Sequence, residues 1–454
     1  MLPTVKSNTK IILRALSVFF SLCLVFLSIG APIFALSDAQ QLILESWNIV
    51  NEAYLKPEKF NEIQWKRLRQ RAIEKQIETS SQTYEAIEEM LLPIGDPYTR
   101  LLKPDDYAAM KVSNLGSEIN GVGLQLGARN DDGEIVVISP LEGSPAADEG
   151  IKSGSILLKV NNESPQKLGL EATASKLRGP TGSKVNLNIE SPEGIQEEIT
   201  LERRSVDLRP VRTRRIRNEN HTLGYLRITQ FSEGVPEQVK EALKELTEKD
   251  VEGLVLDLRN NSGGLVSSGL AVADAFLNNQ PIVATQNREG INNPIPANSE
   301  TFYEGPMVTL VNGGTASASE ILAGALQDNG RSQLLGTKTF GKGLIQTLTN
   351  LSDGSGLAVT VASYLTPSGR NIQSLGIEPD RFLEQPEPLD PGSSEDRWLQ
   401  DAELFMEANL DRQNLEKEIP EENPIETMNA ENIETNNVEN IETTTTANIE
   451  EINE

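Results

Sequence analysis

The chain has 454 residues, enough for two or three domains, and at 37% hydrophobic and 24% charged it is globular in composition. A net charge of −26 argues against nucleic acid or an anionic lipid surface as a partner. One cysteine and one histidine exclude a structural disulfide and leave any zinc site to carboxylates almost alone, so no metal or other cofactor is expected.

The N-terminus reads as an address. Lys6, Lys10 and Arg14 precede "ALSVFFSLCLVFLSIGAPIFA", and small residues follow at Ala31 and Ala35. A basic leader, an apolar core and small residues describe a secretory signal over 1–36. The apolar run at 15–36 is also about long enough to span a bilayer, so a retained anchor with membrane association is the alternative. Cys23 lacks the small residues before it that a lipoprotein site needs. Either way the rest of the chain is exported, to a periplasm or a thylakoid lumen.

Residues 37–113 read as a helical N-terminal domain. "DAQQLILESWNIVNEAYL" places Leu42, Leu44, Trp47, Ile49, Val50 and Tyr54 at helical spacing, with Asp38 as N-cap. Further helices are predicted over 61–76 and 82–93, and "GDPYTRLLKPDDY" breaks the pattern. Residues 114–204 are glycine-rich with short alternating runs ("IVVIS", "SILLKV", "KVNLNIE", "EEITLE"), strands of a small β module with one helix at 168–177. Residues 205–385 alternate strand and helix ("LGYLRIT", "PEQVKEALKELTEKD", "GLVLDLR", "MVTLVN", "ASASEILAGALQD"), the rhythm of an α/β domain. A Pro-rich link and one helix (398–410) fill 386–418. The tail 419–454 repeats a crude "NIE" unit, and from Glu421 on it has ten Glu and no Lys or Arg, so disorder is expected.

The chemistry centres on "NGGTASASEILAGALQDNG" at 312–330. Ser317 stands where a strand and a glycine pair turn into a helix, and with Glu320 it matches a capping box. The same position suits a nucleophile, because a helix start offers free N–H groups to an oxyanion. The two readings are compatible. A serine nucleophile needs a base. His221, in "NENHTLGYL", reads as a solvated turn residue and at best a chance neighbour. Lys342, bracketed by glycines in "KTFGKGLIQTL", could act if burial kept its amine neutral, although a lone lysine is ordinarily a surface residue.

"NGGTASASEILAGALQDNGR" followed by "GTKTFGKGLIQTL" closely resembles the carboxy-terminal processing peptidases, or tail-specific proteases. Their serine stands in an "SASE" context and their lysine in "FGKG", and Ser317 and Lys342 have the family's separation of twenty-five residues. "DLRNNSGGL" at 257–265 resembles the family's Gly-rich loop, with Ser262 where Pro or Gly is usual. The resemblance runs from about residue 40 to 385. It implies Ser317 as nucleophile, Lys342 as general base and Gln346 as the group that orients the amine. It further implies an oxyanion hole from the N–H groups of Ala318 and Gly263. Asp328 and Glu320 match supporting acidic positions, with helix-end and cap chemistry the alternative. Thr315 and Ser319 read as structural.

"GVGLQL" (121–126), "SPAADEGIKSGSILLKVN" and "LRGPTGSKVNL" resemble a PDZ domain, with Ser155 in place of the usual Asp. That implies a substrate's free C-terminus held by N–H groups of Gly121, Val122, Gly123 and Leu124. Arg178 matches a position that links the PDZ domain to the active site. The implied fold is α+β and multidomain: helical N-terminal domain, PDZ domain and a catalytic domain like the crotonase and Clp core. The implied activity is a serine endopeptidase that removes C-terminal extensions from protein substrates. "WNIVNEAY" and "GDPYTRLL" look most like the photosynthetic branch, which trims the photosystem II reaction-centre precursor in the thylakoid lumen. A periplasmic quality-control protease is the alternative. A non-catalytic PDZ scaffold is a third reading, which intact Ser317 and Lys342 argue against.

Overall fold

A computed structural model describes residues 36–114, 119–128, 133–206, 209–218, 220–388 and 390–418. The expected leader, save Leu36, and the expected acidic tail lie outside the described residues. The chain divides into two compact units: residues up to Met110 with Asn287–Gly290 and Leu344–Ala362, and Lys111–Gln286 with Ile291–Gly343 and Ser363 onward. This division cuts across the expected 205–385 domain, because ladder partners need not be neighbours in sequence.

In the first unit, helices α1 (Asp38–Ala53), α2 (Trp65–Ile73) and α3 (Ser80–Leu91) pack around Ile43, Trp47, Val50, Ile87 and Met90. Ser37, not Asp38, caps α1: its Oγ accepts from the Gln40 amide, and the Gln40 side chain accepts from the Ser37 amide. Asp38 instead places its charge in the first turn, at the positive end of the dipole. The helix expected over 61–76 is split, because Gln64 adopts φ +55° and ψ +51° and lets Trp65 stack between Trp47 and Phe60. The short strand Arg100–Leu102 pairs antiparallel with Gly356–Ala358, which closes this core.

The second unit opens with a five-stranded antiparallel sheet in the order β2-β3-β4-β5-β6. These are Leu124–Ala128, Ile135–Pro140, Ile156–Val160, Lys184–Glu190 and Gln196–Glu202. Strand β1 (Ile119–Gly121) pairs with β7 (Arg204–Val206), and helix α4 (Leu170–Leu177) packs beside the edge strand β2. Gly169, at φ +80°, separates α4 from the single turn Pro165–Leu168, so the helix expected over 168–177 is shorter. Alternate residues of these strands (Val185, Leu187 and Ile189 of β5) face inward, as period-two patterning requires.

A six-stranded sheet follows. Its order is β13-β12-β11-β10-β9-β8: Arg381–Phe382, Gln333–Gly336, Met307–Val311, Gly253–Asp257, Thr222–Ile228 and Val211–Arg217. All ladders are parallel except β8 with β9. Crossovers between parallel strands are right-handed as a rule, so a sheet that grows in one direction brings its connecting helices to one face. α5 (Val235–Thr247), α6 (Val266–Asp274) and α7 (Ala318–Asp328) accordingly pack in succession. The helix α8 (Arg397–Glu418) sets Trp398, Leu399, Ala402 and Met406 against Tyr225, Val255 and Leu310 of the sheet. It runs past the expected end at 410, and just beyond that point Asp411 Oδ1 lies 2.9 Å from His221 Nε2.

Candidate active site

Strands β9, β10 and β11 end together, and the loops beyond their carboxyl ends form one cluster, the usual place for a site in an open parallel sheet. The Asn261 Nδ2 donates to the Ile228 carbonyl at 3.0 Å, the Asn260 amide to Asn312 Oδ1 at 2.8 Å, and Thr315 Oγ1 to the Leu258 carbonyl at 2.9 Å. Thr315 and Ser319 are thereby structural, the Ser319 Oγ donating to the Asn261 carbonyl at 2.9 Å.

Ser317 closes the turn from β11 into α7 at φ +57° and ψ −118°, a strained conformation for a residue with a Cβ. Such a sharp turn between strand and helix is how a serine is held at the edge of an α/β sheet for attack. Gly263, at φ +100°, lies directly against it: a Cβ there would stand 2.8 Å from Ser317 Cβ and 3.0 Å from the Ala318 nitrogen. Ser317, Ala318 and Gly263 are thus brought together. The Gly263 amide itself donates to Asn261 Oδ1 at 2.9 Å.

The lysine loop is tied to the helix start by Glu320, which is fully buried. Its carboxylate accepts from the amides of Ser317 (2.9 Å), Gly341 (2.8 Å) and Lys342 (2.9 Å) and from Thr339 Oγ1 (2.5 Å). Burial pushes this carboxyl above its usual range, against the pull of those four donors. Glu320 therefore does more than cap α7; it joins the serine and lysine segments. Lys342 itself is half-buried. The Tyr364 hydroxyl lies 2.9 Å from the Ser317 carbonyl oxygen and 2.5 Å from that of Lys342.

Other expected site residues have partners of their own. Gln346 belongs to the first unit, where its Nε2 donates to Thr360 Oγ1 at 3.4 Å. Asp328 is at the far end of α7, about 16 Å along the axis from Ser317 at 1.5 Å per residue. It pairs with Arg370 and accepts from the Ser368 amide at 2.9 Å, which is helix-end chemistry. His221 precedes β9 and Ser317 follows β11, so the two stand at opposite ends of parallel strands, separated along the strand axis by about 17 Å at 3.3 Å per residue over the five residues of β11. Nor is His221 solvated: it is buried between Glu252 Oε2 (2.8 Å) and Asp411 Oδ1 (2.9 Å).

In the PDZ-like module, Gly121 ends β1 and Leu124 begins β2. Gly123, at φ +74°, could not carry a Cβ, which would fall 2.1 Å from Ser144 Cβ. The Val122 amide donates to the Leu177 carbonyl at 3.3 Å, and Arg178 pairs with Glu171 on α4 at 2.8 Å.

Sequence reasoning missed a buried charge ladder behind the Gly-rich loop. Arg227 pairs with Asp257 at 3.0 Å; Asp257 Oδ2 takes Arg259 Nη2 at 2.6 Å, and the same nitrogen meets Asp396 Oδ2 at 2.6 Å. Tyr225 also donates to Asp257 at 2.8 Å, and the two guanidinium groups hold that carboxyl far below its usual range despite burial. The available signal was two charges, Asp257 and Arg259, at the end of an otherwise apolar strand. Tyr364 gave none, since its partners are remote in sequence.

Residues 222–382 match Peptidase family S41 and residues 112–190 the PDZ domain. The chain is 43% identical over 365 residues to a carboxyl-terminal-processing protease of Synechocystis, covering 80% of this chain and 85% of that one. It is 39% identical to the chloroplastic carboxyl-terminal-processing peptidase 3 of Arabidopsis thaliana, covering 76% and 69%. Among solved structures it is similar to a photosystem II D1 C-terminal processing protease, with TM-score 0.69 and 35% identity over 78% of this chain and 95% of that one. With the strained serine and the tied lysine loop, this places the chain among the carboxyl-terminal-processing proteases, PDZ-containing serine peptidases of family S41.

Proposed function

We propose that this peptidase trims the C-terminal extension of the photosystem II D1 precursor, in a thylakoid lumen or periplasm, through a Ser317–Lys342 dyad. The observation that carries the dyad is a shared carboxylate: Glu320 accepts the backbone amides of both residues at 2.9 Å. The Ser317 Oγ attacks the scissile carbonyl carbon while the neutral Lys342 amine takes its proton. The tetrahedral oxyanion forms beside the Ala318 amide at the start of α7. Collapse expels the C-terminal fragment, whose amine takes the proton from the lysine. Water, activated by the same amine, then releases the acyl group. For the Gly263 amide to join the oxyanion hole it must leave Asn261 Oδ1. The substrate's terminus would add to the edge strand β2, beside α4, with its carboxylate at the 121–124 turn. The substrate and compartment are supported by what the relatives are named. Among the described residues no helix is long and apolar enough to cross a membrane.

The test is turnover of a peptide carrying the D1 precursor C-terminus, as free acid and as amide. The acid should lose its extension at a defined bond, and the amide should be cut far more slowly. Equal rates would remove the PDZ domain from recognition, and an uncut acid beside other, cleaved C-terminal peptides would reassign the substrate.

A further inference from the structure

Ser317 and Lys342 lie on separate segments, and a proton passes between their side chains only if those segments keep their spacing to about 0.5 Å. Glu320 fixes the amide side of both. One side chain fixes the carbonyl side: the Tyr364 hydroxyl lies 2.9 Å from the Ser317 carbonyl oxygen and 2.5 Å from that of Lys342. The Tyr364 backbone amide also donates to the Gly343 carbonyl at 2.9 Å, so the residue grips the lysine loop twice. Its ring is buried, at 1% exposure. Burial and the nearby Glu320 hold the phenol protonated, and therefore a donor. The Ser317 carbonyl already accepts from the amides of Glu320 (2.8 Å) and Ile321 (3.0 Å). A further donor there is not needed to satisfy it; what that donor adds is a link to Lys342.

We propose that Tyr364 is a positioning residue for the peptidase reaction: its phenol ties the carbonyl of the nucleophile to that of the base and so sets the path of the proton. This rests on the Ser317–Lys342 reading. Tyr364 touches neither substrate nor reacting atoms.

The test compares Tyr364→Phe with Ser317→Ala and Lys342→Arg in the full chain. It reads kcat, KM, the pH profile of kcat and the thermal midpoint. Tyr364→Phe keeps the ring and loses the donor. Its kcat per folded molecule should fall about ten- to a hundredfold, the scale of a small misplacement, with KM changed less than about twofold. The midpoint of its pH–kcat profile should move upward, since a loosened loop admits water, which favours the ammonium. Tyr364→3-fluorotyrosine restores the donor and should restore turnover. An unchanged kcat and pH profile for Tyr364→Phe, beside inactive Ser317→Ala and Lys342→Arg, would overturn the role of Tyr364 alone. So would equal losses for the Phe and fluorotyrosine variants, which mark a packing defect. Activity surviving in Ser317→Ala or Lys342→Arg would instead overturn the dyad.

Discussion

Ser317 adopts φ +57° and ψ −118° because its neighbours leave no other course. Gly263 leaves room beside its Cβ that any side chain there would take, and Glu320 holds its amide. Strain of this kind costs about 1–3 kcal/mol and persists only where the surroundings over-determine it. The proton acceptor is testable at the same scale. Arginine keeps a positive charge but does not lose its proton at working pH. Lys342→Arg should therefore be as inactive as Lys342→Ala, with folding retained. His221→Ala should keep the wild-type pH–rate profile, because its ring lies beyond the opposite end of the sheet. Peptide turnover across pH checks both. Near-normal activity of Lys342→Arg would leave the serine without its base.

Helix α8 shows what the histidine does instead. His221 stands between Glu252 and Asp411, and its backbone carbonyl accepts the Asn218 amide at 3.0 Å. Hydrogen bonds to the two carboxylates raise its pKa above the usual value, and burial opposes them more weakly. A group whose folded pKa is raised stabilises fully below its unfolded pKa, about 6.5, and loses that contribution as pH rises through the folded value. The Glu252 carboxyl is lowered by the same contact, so its share is lost as pH falls into the carboxylate range. The pair therefore stabilises most between about pH 5 and 6.5. Thermal midpoints of wild type and His221→Gln should differ most in that window and converge at alkaline pH. A constant difference across the range would mean that packing, not charge, ties α8 to the sheet.

At the scale of the second unit, a carboxylate of the PDZ-like module reaches the catalytic sheet. Glu142, in the loop after β3, pairs with the buried Arg227 and lies 2.6 Å from Arg212. The adjacent Leu141 amide donates to the Gly123 carbonyl at 2.7 Å, so the 121–124 turn and the charge ladder share one loop. The Phe340 ring, two residues before Lys342, also comes within 2.9 Å of where a Cβ on Gly127 of the module would stand. Glu142→Ala leaves Arg227 with Asp257 alone. Breaking a buried pair costs about 3–5 kcal/mol, and Glu142 is partly exposed, so about 2 kcal/mol is expected here. Thermal melts should show a midpoint several degrees lower, while Glu142→Gln loses less. An unchanged midpoint for Glu142→Ala would mean that water replaces the carboxylate freely.

The sequence alone determined what is local. Strands such as 184–190 and 307–311 are legible because alternation and apolar runs are properties of neighbouring residues. The serine and lysine motifs are legible because each is a turn whose glycines and hydroxyls follow one another. Even at this range small choices were lost: Ser37 rather than Asp38 caps α1, and Gln64 breaks a helix whose periodicity was intact. Only the tertiary structure decided who meets whom. It separated His221 from Ser317 by running β9 and β11 parallel. It gathered Tyr364 and Glu320 around two loops twenty-five residues apart, and it drew 344–362 into the unit of the N-terminal helices. The physical reason is one of range: propensity and periodicity act within a few residues, whereas buried hydrogen bonds and ion pairs choose partners only after the chain has closed its long loops.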